Sequence, residues 1–266
     1  MAKAPRAWQR MLSGRRLDLL DPFLLLDCFE SDRPEDYIGG FPSHPHRGFE
    51  TVTYLLNGRM RHRDNTGREG VIEPGGIQWM TAGRGIIHSE MPEQENGLLE
   101  GFQLWVNLPA SHKMDDPGYQ EYSAEHIPLE QRDGASLRVI TGTTSQGTSG
   151  PVVQPLTEPL YLDVTIEPGH SFSETIAREH NAFIYGIEGE TRFANDAATD
   201  SIITRDQLAI LTQGDEITLS AGDSGCRFLL ISGKPLRESV ARGGPFVMNT
   251  QQELRQAFAD YQSGNF

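Results

Sequence analysis

Only two cysteines occur in 266 residues, Cys28 and Cys226, far apart and in no C-x-x-C pair. A disulfide-stapled scaffold or a thiolate metal finger is therefore excluded, and the two read as reduced thiols of a cytoplasmic protein. Positive charge is also scarce: 23 Lys+Arg stand against 37 Asp+Glu, a formal net charge of −14. Such a chain does not hold nucleic acid directly by neutralising its phosphates, and it is poorly suited to an anionic membrane surface. Long hydrophobic runs are missing. The most apolar early stretch, Pro22-Phe23-Leu24-Leu25-Leu26, falls far short of the ~20 residues that span a bilayer. The basic start, Met1 to Arg10, is not followed by an apolar segment of signal-peptide length. What remains is ordinary for a folded protein, with 37% apolar and 23% charged residues and chain enough for one large or two moderate domains.

The 28 glycines and 16 prolines are spread over the whole length, where they punctuate short apolar runs. These are Thr51–Leu56, Ile77–Met80, Phe102–Val106, Leu160–Ile166, Phe183–Ile187 and Phe228–Ile231, rich in β-branched and aromatic residues. Short runs bounded by Asn-Gly, Pro-Gly or Glu-Gly predict an all-β sandwich or barrel. Alternation predicts one strand face at Leu160, Leu162, Val164 and Ile166 and the other at Tyr161, Asp163 and Thr165. A faint echo suggests duplication. Asn57-Gly58 followed by Glu73-Pro-Gly-Gly76 is matched by Glu188-Gly189 followed by Gln213-Gly-Asp215. The polar stretch Asn107 to Gly134 and the Gly/Ser/Thr-rich tract Thr141 to Gly150 mark the zone between copies, so we expect domains at 1–133 and 134–266. One helix is predicted near the end. Thr250 and Glu253 form a capping box, Leu254, Ala257, Phe258 and Tyr261 share one face, and Gly264 stops it.

Two segments carry chemistry, Ser43-His-Pro-His-Arg-Gly-Phe-Glu50 and Gly85-Ile-Ile-His-Ser-Glu90. On a strand, residues two apart project from one face about 6–7 Å apart. His44 with His46, and His88 with Glu90, would each present two donors. Two such strands side by side bring three imidazoles and a carboxylate to one point, a set suited to a divalent transition metal with one or two positions left open. His112, His126, His170 and His180 have no such spacing, and the second half has no His-x-His, so that half is expected to be metal-free.

The stretches Phe41–Leu56 and Gln78–Pro92, with Trp105-Val-Asn-Leu-Pro109 and Gly244–Thr250, closely resemble the pirin family of the cupin superfamily over nearly the whole chain. That resemblance implies a bicupin, two jelly-roll β-barrels with a short C-terminal helix and a metal in the first barrel only. It puts the metal on His44, His46, His88 and Glu90, most often Fe(II), with Mn, Co, Ni, Cu or Zn as alternatives. The general cupin pattern would nominate Glu50 instead, but in an unbent strand it lies about 13 Å from His46. Glu50 is then expected just outside the ligands or paired with an arginine such as Arg47, and His62 and Asp64 on the next strand are either pocket residues or part of a surface turn. Several pirins cleave quercetin with dioxygen. The implied activity is a flavonol 2,3-dioxygenase that releases carbon monoxide, with a flavonol-like substrate and O2 as partners and Glu90 as the catalytic carboxylate. The competing implication is an iron-binding, redox-responsive regulator that contacts a transcription factor or metabolic enzyme. A third, a binding module around a structural ion, fits less well because neither cysteine lies near the motif.

Overall fold

The computed structural model describes residues 9–12, 19–193 and 202–266, so the first eight residues of the basic start lie outside the described part. Along the chain come β1 (Gln9–Leu12), β2 (Phe23–Ser31), a one-turn helix α1 (Pro34–Tyr37), β3 (Phe41–His46), β4 (Phe49–Asn57) and β5 (Met60–Asp64). They are followed by β6 (Glu69–Ile72), β7 (Ile77–Thr81), β8 (Ile86–Pro92), β9 (Leu99–Asn107) and β10 (Gly118–Tyr122). One sheet has the order β1-β2-β9-β4-β7-β10 and the other β3-β8-β5-β6. Side chains of both meet in an apolar cluster of Phe29, Leu55, Met60, Ile72 and Leu99, closed by Tyr37 from α1. This is a jelly-roll.

The second half repeats the plan. Its strands are β11 (Leu129–Arg132), β12 (Ala135–Thr141), β13 (Leu160–Ile166), β14 (Ser171–Thr175), β15 (Asn181–Phe193), β16 (Ile202–Thr204), β17 (Leu208–Ile210) and β18 (Glu216–Gly233). The long strands each serve two sheets. The first part of β18 pairs with β14 and its later part with β13, while β15 pairs with β17 and then β16. Read this way, β15 stands for β4 plus β5 and β18 for β8 plus β9, which reproduces the pairing of the first jelly-roll. Asn57-Gly58 and Glu188-Gly189 are therefore equivalent, as the echo suggested. The second half of the echo is displaced by one turn. Glu73–Gly76 corresponds to Arg205–Gln207, and Gln213–Asp215 leads into β18 as Gly83–Gly85 leads into β8. The strands equivalent to β3 and β8 send Phe172, Ile217 and Leu219 into an apolar cluster with Leu162, Val164 and Phe228. Both faces of β13 are buried except at Thr165, and Asp163 there is held by Arg227 at 2.7 Å.

β19 (Ala241–Gly243), β20 (Phe246–Met248) and α2 (Gln251–Ser263) complete the chain. The capping box of Thr250 and Glu253 is formed, and Gly264 ends the helix at φ 75°. By contacts the chain divides into Met1–Ala124 with Leu236–Phe266, and Glu125–Pro235. The division expected at 133/134 thus falls inside the β11–β12 hairpin, and the last thirty or so residues pack with the first jelly-roll rather than the second. The reason is local. Val247 donates to the Arg47 carbonyl at 3.0 Å, and Leu254, Ala257 and Phe266 form an apolar cluster with Phe246 and Met248. Cys28 and Cys226 are both buried and neither is in a disulfide. Among the described residues no helix is long and apolar enough to cross a membrane.

Candidate metal centre

β3 and β8 lie side by side, antiparallel, with His44 opposite His88. The two-residue spacing puts His46 on the same face as His44. Ligand atoms of His44, His46 and His88 all lie within 4.8 Å of one another. The Nε2 atoms of His44 and His46 are 3.0 Å apart, and Nδ1–H of His44 donates to the Pro42 carbonyl at 2.8 Å. A carbonyl only accepts, so His44 must present the lone pair of Nε2 inward. His46 and His88 are buried, at 4% and 1% exposure. Burial pushes the His46 pKa well below its ordinary value, helped by His88 and His44, and lowers that of His88 to about 4. His46 and His88 are therefore neutral at neutral pH, each with a ring lone pair to offer. Both ring nitrogens of His88 have no hydrogen-bond partner among the described residues. Three converging imidazoles, those of His46 and His88 buried and neutral, fit a divalent transition metal.

Glu90 follows His88 on the same face of β8 and is 2% exposed, but its oxygens fall outside that 4.8 Å group. One accepts from Thr53 Oγ1 at 3.0 Å and the other from Gln103 Nε2 at 2.9 Å. Glu50 also lies outside the group; it is fully buried, and its Oε1 accepts from Thr81 Oγ1 at 2.7 Å. Arg47, expected beside Glu50, instead pairs with Asp260 of α2 at 2.6 Å, donates to the Arg84 carbonyl and stacks on Phe266. His62 stands opposite Glu90 in the β5–β8 register, and its Nε2 lies 2.6 Å from Glu121 Oε2. Asp64 combines the two expected roles. One oxygen accepts from Thr66 and Arg68 to close the β5–β6 turn, while the carboxylate also lies beside the Tyr119 hydroxyl. Burial, with that carboxylate, drives the Tyr119 pKa far upward and keeps the phenol protonated.

Several residues at the site were not anticipated. Gln103, Thr53, Gln78 and Glu121 stand directly opposite one another across β9, β4, β7 and β10, so they form one polar row on one face of the sheet. The row meets the histidine sheet. Thr53 and Gln103 donate to Glu90, while Gln78 donates to Glu121 at 2.9 Å and Glu121 holds His62. The available signal was a polar residue inside each apolar run, Thr53 in VTYLL, Gln78 in IQWM and Gln103 in FQLWV. Beside the histidines stands an aromatic wall. The rings of Phe49 and Trp105 are 4.4 Å apart, and His46 meets them at 5.1 and 5.3 Å. Lys113, 1% exposed, closes the turn after His46 from below. Its Nζ donates to the carbonyl of Gly48 and Asn107 Oδ1 at 2.6 Å, and to the Val247 carbonyl at 3.1 Å.

Comparison with known proteins is consistent along the chain. The family profile described as Pirin matches residues 5–106, and that described as Pirin C-terminal cupin domain matches residues 161–266. A pirin-like protein of Caulobacter vibrioides is 52% identical over 260 residues, covering 97% of this chain and 91% of its own. Human pirin is 45% identical over 257 residues, covering 96% of this chain and 86% of its own. A solved structure titled quercetin 2,3-dioxygenase from Acinetobacter baumannii superimposes with a TM-score of 0.87 at 34% identity, covering 97% of this chain and 90% of that one.

Proposed function

The chain belongs to the pirin family of bicupin proteins, and from that membership and its histidine cluster we propose a metal-dependent dioxygenase that opens the heterocycle of a flavonol such as quercetin. The observation that carries the reading is the convergence of His44, His46 and His88 within 4.8 Å, with buried, unpartnered nitrogens. The substrate rests on the activity named for the Acinetobacter baumannii structure. One divalent transition metal is assigned to His44, His46, His88 and Glu90; iron(II) is our first choice, and Mn, Co, Ni, Cu and Zn suit the same donors. When bound, the metal supplies Lewis acidity toward the flavonol 3-hydroxyl and the means of using dioxygen.

The chain's own residues supply the rest. His44, already donating through Nδ1, offers Nε2 with its tautomer set. Glu90, held by two donated hydrogen bonds, accepts the 3-hydroxyl proton. Phe49 and Trp105 cover His46 with apolar surface and limit water there. Overall one O2 is consumed, the heterocycle opens and carbon monoxide leaves.

The test is direct. Protein loaded with ferrous iron, or separately with the other divalent metals, should bleach the flavonol absorbance in air. His44→Ala, His88→Ala and Glu90→Gln should each abolish turnover. Undiminished turnover in His88→Ala would remove the site. If no metal form consumes quercetin, the function moves to that of a metal-responsive partner of another protein.

A further inference from the structure

The polar row beneath Glu90 has a direction built into it. The indole N–H of Trp105 donates to Gln103 Oε1 at 3.4 Å, and Gln103 Nε2 donates to Glu90 Oε2 at 2.9 Å. An indole nitrogen can only donate, so it obliges the Gln103 amide to turn its oxygen toward Trp105 and its NH2 toward Glu90. Thr53 Oγ1 donates to the second carboxylate oxygen at 3.0 Å. Thr53 and Gln103 are themselves opposite one another on β4 and β9, so neither can shift along its strand without breaking the ladder. Trp105 also meets the His46 ring edge-to-face at 5.3 Å, and so touches two of the assigned ligands, one directly and one through Gln103.

We propose that Trp105, Gln103 and Thr53 form a positioning relay that sets the orientation of Glu90 and thereby the affinity and geometry of the metal site. These residues do not ligate. Two donors on one carboxylate fix its plane, which leaves only the remaining lone pairs free to turn toward the histidines. The relay rests on the metal site proposed above but not on its substrate.

Cobalt(II) titration of the metal-free full chain tests it, with a competing chromophoric chelator for affinity and the visible cobalt spectrum for geometry. Glu90→Gln serves as the reference for loss of the carboxylate. Thr53→Val, of nearly the same shape, and Gln103→Leu should weaken cobalt binding roughly 10–100-fold and change the spectrum toward that of Glu90→Gln. Thr53→Ser, which keeps the hydroxyl, should restore both, and Trp105→Phe, which frees the Gln103 amide to turn over, should fall between. Thermal unfolding of each metal-free variant separates these effects from loss of fold. Parent-like affinity and spectrum in both Thr53→Val and Gln103→Leu would overturn the relay, as would a Thr53→Ser no better than Thr53→Val. A parent that binds cobalt as described but never consumes quercetin would refute the proposed substrate and leave the relay standing.

Discussion

Gly48 separates His46 from β4, and its replacement by alanine should be among the most damaging small changes in the first jelly-roll. Its φ is 86°, and a Cβ there would lie 2.0 Å from the Val247 carbonyl oxygen. The positive φ alone costs an L-residue about 1–2 kcal/mol. To reach ordinary contact the Val247 segment would have to retreat by about 1.4 Å, from 2.0 to 3.4 Å. That retreat breaks the bond from Val247 N to the Arg47 carbonyl and the one from Lys113 Nζ to the Val247 carbonyl. A neutral bond is worth about 1 kcal/mol and one from a charged donor about 1.5–3 kcal/mol. Strain at the turn brings the total to about 5 kcal/mol, a large share of a domain's stability. Gly67 is the control, with φ 88° and nothing within 4 Å of its Cβ. Gly67→Ala should show the dihedral cost alone. Urea unfolding of the metal-free proteins, followed by circular dichroism, measures both. Equal midpoints for the two variants would show that close approach of the Val247 strand is not what demands glycine at 48.

Two further outcomes follow from buried cations and imidazoles. Burial lowers the Lys113 pKa from 10.5 to about 8, so between those values the unfolded chain binds more protons than the folded one, and stability rises with pH by up to about 3 kcal/mol. Urea midpoints at pH 8 and pH 10 should therefore move upward in the parent relative to Lys113→Met, and parallel behaviour of the two would contradict it. For His88 the folded value is about 4 against 6.5, so the metal-free protein loses stability as pH falls through that window, and the loss is complete below about 4. Urea midpoints of the metal-free parent should therefore drop between pH 6.5 and pH 4 relative to those of His88→Gln, and parallel behaviour of the two would refute it.

The short apolar runs of the sequence all became strands, because a half-buried pleat needs only local alternation and the turn glycines that bound it. Leu160–Ile166 coincides with β13 residue for residue. Thr250, Glu253 and Gly264 likewise specified both ends of α2 through bonds to neighbours within a turn. The histidine cluster was legible for the same reason. His-x-His fixes a shared face by itself, and only the adjacency of β3 and β8 had to be added. Arg47 was misjudged because its partner, Asp260, is more than two hundred residues away, and parity along β4 says nothing about α2.

The sequence by itself determined the period of each element, the turns between them and the residue types that can bind a metal, since these depend on chain neighbours. It also contained the polar residues of the row, Thr53, Gln78, Gln103 and Glu121, without any indication that they belong together. Only the tertiary structure decided that. Strands distant in sequence pair in the order β9-β4-β7-β10, which lines up four isolated polar residues against Glu90 and His62. The return of the segment from Leu236 to the first jelly-roll was decided in the same way, by apolar contacts and by carbonyls shared at Gly48 and Val247 that no local pattern encodes.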